Sequence, residues 1–173
     1  MRNDYLILLI LFLASLFART GYEFLKQKGK IRPDNKLLFV FTLVAMFVLW
    51  FSWFNLCPLD PWRIDVPDAA QWSGFMLCVL GTLLVIGAFI QLRGMENIDH
   101  LVTTGLFAKM RHPMYVGFVL WFVGWSIFHG AVAGFAASLP GIAGVLYWRY
   151  VEEVRLQARY GETYRQYQQR TWF

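Results

Sequence analysis

Long apolar runs alternate with short polar segments along the chain. Two of the runs, 37–56 and 73–92, contain no charged residue, and each is about the 20 residues that a helix needs to cross a bilayer. Three further runs are shorter but equally apolar. The pattern therefore predicts an all-α integral membrane bundle of about five transmembrane helices, with spans at 5–18, 37–56, 73–92, 114–128 and 131–148 and with a tail at 149–173.

Local signals refine this picture near the end of the chain. His129-Gly130 is a tight connection that predicts an antiparallel hairpin of the fourth and fifth spans. The fifth span carries small residues every four positions, which favours close packing within the bundle. The tail contains good helix formers interrupted at Gly161, so we predict two short helices there, lying at the membrane surface.

The distribution of charge indicates an orientation. All but two of the 16 Lys and Arg residues fall in three segments, 19–36, 93–113 and the tail, whereas 57–72 is rich in Asp. The positive-inside bias places the three basic segments in the cytoplasm and the N-terminus outside. The first run also fits a secretory signal, but the basic segment that follows it favours a membrane span.

Composition agrees with a single membrane domain over 1–173. The chain is 58% hydrophobic, more than is usual for a soluble domain. Its net charge of +5 comes from basic segments that alternate with apolar runs, and this arrangement argues against a nucleic-acid partner. The three His and two Cys residues show no metal-ligand spacing, and we expect no metal.

A polar, cation-rich segment separates the third and fourth spans. Asp99 to Gly117 reads Asp-His-Leu-Val-Thr-Thr-Gly-Leu-Phe-Ala-Lys-Met-Arg-His-Pro-Met-Tyr-Val-Gly. Pro113 suits the first turn of a helix, and the free N–H groups of that turn, with Arg111 and His112, predict a local anion site. The alternative is an interfacial anchor whose Arg and His side chains extend to the lipid headgroups.

A second polar segment follows the fifth span. It contains Glu152-Glu153 and then Tyr160-Gly161-Glu162-Thr163-Tyr164. A carboxylate near the membrane suits a bound cation. Adjacent helix positions point about 100° apart, so we expect only one of the two acids to face inward. The alternative is a solvated surface pair.

Together the two segments resemble the signature of the isoprenylcysteine carboxyl methyltransferase family, within the wider phospholipid methyltransferases. The resemblance covers about 92–171. It implies S-adenosylmethionine as cofactor and methyl transfer to a lipophilic small-molecule or lipid-modified acceptor among membrane lipids. It implies Arg111 and Glu152 as catalytic residues, and cofactor contacts at Asp99, His100, Leu101, Val102, Gly105, Phe107, His112, Pro113, Met114, Tyr115 and Glu152. The charge bias described above independently places both segments, and hence the site, on the cytoplasmic face.

Three positions depart from the family pattern. Asp99 stands where the family usually has His, and Phe107 where it usually has Tyr. The Arg that reads the acceptor carboxylate in eukaryotic members is replaced by Trp148, and Arg149 follows it, so these two are candidates for acceptor binding. The resemblance therefore implies a retained donor site and leaves the acceptor open.

Two other activities stay open. A phospholipid N-methyltransferase belongs to the same class, but an amine acceptor needs a general base, and none stands out. A carboxylate or thiol acceptor is therefore favoured. A membrane reductase of the sterol type, using NADPH, is the second alternative, because such enzymes carry a similar Arg-His-Pro-x-Tyr.

Overall fold

The protein is all-helical in the part described by a computed structural model, residues 2–31, 36–92 and 100–173. Short 3-10 turns lie at Cys57–Leu59 and Gly105–Ala108, and no strand is formed in these ranges beyond two isolated bridges. The predicted all-α class is confirmed. The helices are α1 (Arg2–Gln27), α2 (Lys36–Leu56), α3 (Asp68–Leu92), α4 (Pro113–His129), α5 (Val132–Tyr160) and α6 (Glu162–Arg170).

Three of these helices, α1 to α3, are long and apolar enough to cross a membrane. Helix α4 is equally apolar but has only 17 residues. The structure thus shows a helical protein with several candidate spans, and the number of five crossings stays a prediction.

Three helices are clearly longer than predicted. Helix α1 continues past residue 18 to Gln27, because Arg19 and Glu23 pair one turn apart at 2.6 Å and Glu23 is buried. Helix α5 continues past Trp148 to Tyr160, because nothing in this stretch breaks a helix before Gly161. The prediction of a separate tail helix after residue 148 is wrong, and α6 alone follows the break at Gly161. Helix α3 also begins earlier than predicted, at Asp68.

The predicted hairpin of α4 and α5 is confirmed, and the Asp-rich loop is bonded to it. Gly130 turns the chain in the left-handed region, at φ 60°. The N–H of Ile64 donates to the Gly130 carbonyl at 3.0 Å, and the Asp60 carboxylate accepts the N–H of Gly134 at 2.6 Å. These bonds fix one end of the helical bundle.

Aromatic side chains fill the core between α1, α2 and α4. Phe12, Trp53 and Phe122 are fully or almost fully buried. The ring centroids of Trp53 and Phe122 lie 4.8 Å apart, and those of Phe12 and Trp53 lie 5.4 Å apart. Gly141 of α5 packs against the Phe122 ring so closely that an added Cβ would lie 2.6 Å from it. The predicted close packing of the fifth span is confirmed by this contact.

Glycines also bring α3 and α4 together, which the sequence did not indicate. A Cβ added to Gly74 would lie 2.6 Å from the Gly124 carbonyl oxygen, and one added to Gly81 would lie 2.7 Å from that of Gly117. The two glycines on each helix are seven residues apart, so the paired backbones approach at two levels. Helix α3 packs on α4, and α2 packs on α1.

Candidate active site

A cavity of about 770 Å³ lies between the helices, within the range of small-molecule sites. One part of its wall is apolar and comes from α2 and α3. The other part is polar and comes from α1, the segment 100–115, and the end of α5. The apolar side includes Phe39, Leu43, Met46, Phe47, Val85 and Phe89, and the polar side includes Arg19, Glu23, His112, Tyr115, Glu152 and Arg155.

Most of the residues predicted for the site line this cavity. They come from the polar segment before α4, the first turn of α4, and one face of α5. Gly105 and Arg149 lie outside its lining, and Asp99 lies outside the described residues. The lining includes His100, Leu101, Val102, Phe107, Arg111, His112, Pro113, Met114, Tyr115, Trp148 and Glu152.

Gly105 shapes the segment rather than lining the cavity. It adopts φ +61°, and an added Cβ would lie 2.6 Å from the Gln91 side chain. The Gln91 amide oxygen accepts the N–H of Leu106 at 3.0 Å, which ties the segment to the end of α3. The turn positions Phe107, whose carbonyl accepts the Tyr167 hydroxyl at 2.6 Å.

Tyr115 and Glu152 join α4 to α5 inside the cavity. The Tyr115 hydroxyl donates to Oε2 of Glu152 at 2.7 Å. Pro113 occupies the first turn of α4, as predicted, and this start of the helix sets the direction of both His112 and Tyr115, whose rings stack at 5.5 Å. One oxygen of the Glu152 carboxylate is thus engaged and its negative charge faces the cavity.

Glu153 forms a separate ionic centre beside the cavity. Its Oε1 is 3.2 Å from Nε2 of His112, 3.0 Å from Nε of Arg111, and 3.3 Å from an Arg149 terminal nitrogen. The hydrogen bond with His112, the bond from Arg111 and the charge of Arg149 lower the pKa of Glu153 to about 2, although burial opposes the shift. Only Glu152 lines the cavity, yet both acids contact the start of α4, which was not expected of adjacent residues.

The end of the chain occupies the anion site predicted at the start of α4. We call residues 171–173 the strap. The main-chain oxygen of Phe173 accepts the N–H groups of Arg111 and His112 at 2.9 and 3.0 Å. The Arg111 guanidinium also donates to the Thr171 carbonyl at 2.6 Å, and the Arg149 guanidinium lies 4.4 Å from the Phe173 ring centroid. Arg111 and Arg149 therefore bind the chain itself.

Several polar side chains on the cavity wall were missed from the sequence. Arg19 and Glu23 belong to the unexpected extension of α1, and Arg155 lies one turn beyond Glu152 on the same face of α5. The Tyr164 hydroxyl is buried, and it has no hydrogen-bond partner in the described part of the chain; burial raises its pKa. The continuation of α1 and α5 is the signal that could have found Arg19, Glu23 and Arg155, because it places them at helical spacing.

The described residues contain no group of His, Cys, Asp or Glu that could hold a metal ion. His129 lies at the far end of α4, where its carbonyl accepts Nε of Arg63 at 3.1 Å.

A family model described as phospholipid methyltransferase matches residues 69–163, more than half of the chain. The chain belongs to the phospholipid methyltransferase family. The resemblance noted from the sequence is confirmed, and family membership together with the three long apolar helices indicates a membrane protein. The matched range includes the segment before α4 and the face of α5 that carries Glu152, but not Arg19, Glu23 or the strap.

Individual relatives carry two kinds of name. The chain is 30% identical over 115 residues to a protein-S-isoprenylcysteine O-methyltransferase of Schizosaccharomyces pombe, covering 58% of this chain and 47% of the relative. It is 30% identical over 141 residues to a methanethiol S-methyltransferase of Pseudomonas deceptionensis, covering 73% and 52%. The chain thus spans about half the length of these curated relatives. No solved structure matches it.

Proposed function

We propose that this chain, as a single domain over 1–173, is an S-adenosylmethionine-dependent methyltransferase of the membrane that acts on a lipophilic acceptor. The observation that carries the proposal is the shared cavity. The family-matched residues around Tyr115 and Glu152 lie in the same space as the apolar side chains of α2 and α3. A polar methyl donor and an apolar acceptor can therefore meet there.

The residues present fit such a donor. S-adenosylmethionine supplies a methyl group already activated on a sulfonium. The Glu152 carboxylate offers a negative charge to a cationic donor, with Tyr115 fixing its direction at 2.7 Å. The buried Tyr164 hydroxyl, without a partner in the described residues, offers a further hydrogen bond. We assign donor contacts to these residues and to the wall at His100, Leu101, Val102, Phe107, Pro113 and Met114, and we retain Asp99 as a candidate.

Arg111 has a positioning role in this proposal. Its guanidinium is bonded to Glu153, Thr171 and the Gln168 carbonyl, so its donors are directed at the chain. The same contacts hold His112 and the first turn of α4 against the tail. Arg111 thus acts on the reaction through the geometry of His112 and Tyr115 and not by touching the methyl group.

The acceptor site lies on the apolar side. Alignment of nucleophile, methyl and sulfur in a dry cavity is the main requirement, because the donor is already activated. A carboxylate or thiolate acceptor needs no base. The relatives include both an isoprenylcysteine O-methyltransferase and a methanethiol S-methyltransferase, which supports this class of acceptor. Trp148 lines the cavity beneath Arg19, whereas Arg149 is engaged by Glu153.

Binding of the two competing cofactors tests the proposal. The purified protein in detergent is expected to bind S-adenosylmethionine and S-adenosylhomocysteine, measured by isothermal titration calorimetry, and to show no heat with NADPH. Saturable binding of NADPH without binding of either methionine derivative would exclude the methyltransferase and favour the reductase.

We further propose five crossings, with the N-terminus outside and the C-terminus cytoplasmic. Side-chain contacts support it, since Arg155 near the end of α5 bonds to Glu23 near the end of α1 at 2.9 Å, which puts two basic segments at one end of the bundle. Two exposed positions form a matched pair for the test. In sealed cells a membrane-impermeant maleimide is expected to label Asp65→Cys, and to label Arg165→Cys only after permeabilisation; the reverse result contradicts the orientation.

A further inference from the structure

A cluster of charged side chains lies on the cavity wall where α1 meets α5. Oε1 of Glu23 accepts a hydrogen bond from Arg19 at 2.6 Å, and Oε2 accepts one from Arg155 at 2.9 Å. All three residues line the cavity. Glu23 is only 3% exposed, so one buried carboxylate is shared by two guanidinium groups, and the cluster carries a net positive charge.

The position of Arg19 is fixed by a second contact. Its guanidinium lies 5.0 Å from the centroid of the Trp148 ring. Trp148 is fully buried and its ring nitrogen donates to the Thr20 hydroxyl at 3.1 Å, so the aromatic surface under the cation is itself held in place. A planar guanidinium stacked on a fixed ring is already oriented for a planar acidic partner.

The cluster has unused donor capacity. A guanidinium carries five N–H donors, and Glu23 accepts one from each arginine. Nε of Arg155 is buried without a hydrogen-bond partner among the residues that the structure describes. Buried polar groups in native proteins are almost always bonded, so an unpaired donor on a cavity wall points to a ligand that accepts from it.

The cluster and the part of the cavity around Glu152 differ in charge. Glu152 gives the donor side of the cavity a negative charge suited to a cation. Lys26 and Arg159 also line the cavity, so the wall formed by α1 and α5 carries four bases with Glu23. Tyr115, which is assigned to the donor, lines the same cavity as Arg19 and Glu23, so the basic wall and the donor contacts share one space.

From this arrangement we infer that Arg19, Glu23 and Arg155 form a subsite that binds an acidic group on the methyl acceptor. The inference rests on the proposed function. The acceptor class is an amphiphile whose acidic group contacts the two guanidinium groups, while its apolar chain lies along α2 and α3. A small neutral thiol could enter the cavity but would make no use of this subsite.

A matched pair of probes tests the charge preference. Pyrene-labelled dodecanoate and its methyl ester differ only in the acidic group, and energy transfer from the cavity tryptophans reports their binding to the purified full chain in detergent. The acid is expected to bind about tenfold tighter than the ester, as for hydrogen bonds between charged groups. Arg19→Gln and Arg155→Gln are each expected to remove most of this preference and to leave ester binding unchanged.

Glu23→Gln gives a result of opposite sign, which a folding defect cannot imitate. This substitution removes the carboxylate that competes for both guanidinium groups, so the acid is expected to bind about threefold tighter or more. Arg165→Gln, at an exposed arginine of α6, is the control and is expected to change nothing. An unchanged acid-to-ester ratio in both Arg19→Gln and Arg155→Gln would overturn the subsite.

Two further measurements distinguish an acceptor subsite from a donor subsite and from a failure of the proposed function. S-adenosylmethionine affinity is measured in each variant: retained affinity supports an acceptor subsite, whereas a parallel loss would assign the cluster to the donor and overturn it. Failure of S-adenosylmethionine to bind the unaltered protein would overturn the proposed function, whatever the acid-to-ester ratio. Competition by dodecanoate and by dodecyl phosphate then shows whether a carboxylate or a phosphate fits better, and competition by neither contradicts the subsite.

Discussion

Glu152→Gln is expected to weaken S-adenosylmethionine binding by about 1.5–3 kcal/mol, the range for hydrogen bonds to charged groups. The amide keeps the size of the side chain and can still accept the Tyr115 hydroxyl, so the helices stay joined. What is lost is the negative charge that faces the cavity. Titration calorimetry measures the change in affinity, and a thermal melt in detergent is expected to show little change in Tm.

Two other glutamates serve as controls. Glu162→Gln, at an exposed position of α6, is expected to alter neither quantity. Glu153→Gln is expected to lower the Tm by more than Glu152→Gln does, because His112, Arg111 and Arg149 lose their shared anion. It is expected to weaken S-adenosylmethionine binding by less than Glu152→Gln does. A larger loss of affinity in Glu153→Gln than in Glu152→Gln would show that the two acids have the opposite roles.

The Glu153 centre also predicts a dependence on pH. The pKa of this carboxyl is about 2 in the folded protein, below its ordinary value of 4.5. Its stabilising contribution is therefore fully present above about pH 4.5 and is lost as the pH falls towards 2. The Tm difference between the unaltered protein and Glu153→Gln should shrink over the same interval.

Gly81→Ala is expected to destabilise the protein by about 1–3 kcal/mol, the usual cost of overpacking. The added Cβ would lie 2.7 Å from the Gly117 carbonyl oxygen, which belongs to the backbone and cannot turn aside. Helices α3 and α4 would have to separate, and the Trp121 to Thr82 hydrogen bond across them, 3.0 Å long, would lengthen. The Tm in detergent measures the effect.

Gly21→Ala is the matched control for this substitution. It makes the same chemical change within a helix, but nothing lies within 4 Å of the added Cβ. Helix propensity alone then acts, and it favours Ala over Gly by about 1 kcal/mol. Equal changes of Tm in Gly21→Ala and Gly81→Ala would show that the backbones of α3 and α4 are not in close contact.

Uncharged runs allowed α2 and α4 to be located from the sequence almost to the residue, whereas α3 begins five residues earlier than its uncharged run. Helix α2 was expected at 37–56 and is found at Lys36–Leu56, and α4 was expected at 114–128 and is found at Pro113–His129. The bounds of helices that contain charged residues could not be predicted in this way. Glu23 signals exposure in a sequence, yet its partner Arg155 lies 132 positions away and makes its burial in α1 possible.

The candidate site could also be predicted only in part from the sequence. The pattern around His112, Tyr115 and Glu152 identified residues that the fold does bring to one cavity. The environment of Arg111 could not be predicted in this way, because its partners Glu153 and Thr171 are 42 and 60 positions away and no local rule links them. The sequence shows which residue types are present in the site. Only the folded structure shows which group each charged side chain pairs with.

The strap also determines how readily two backbone amides exchange with solvent. The N–H groups of Arg111 and His112 are bonded to the main-chain oxygen of Phe173. Hydrogen exchange at an amide requires that its hydrogen bond opens. The exchange rates of these two amides therefore report how often residues 171–173 separate from the start of α4.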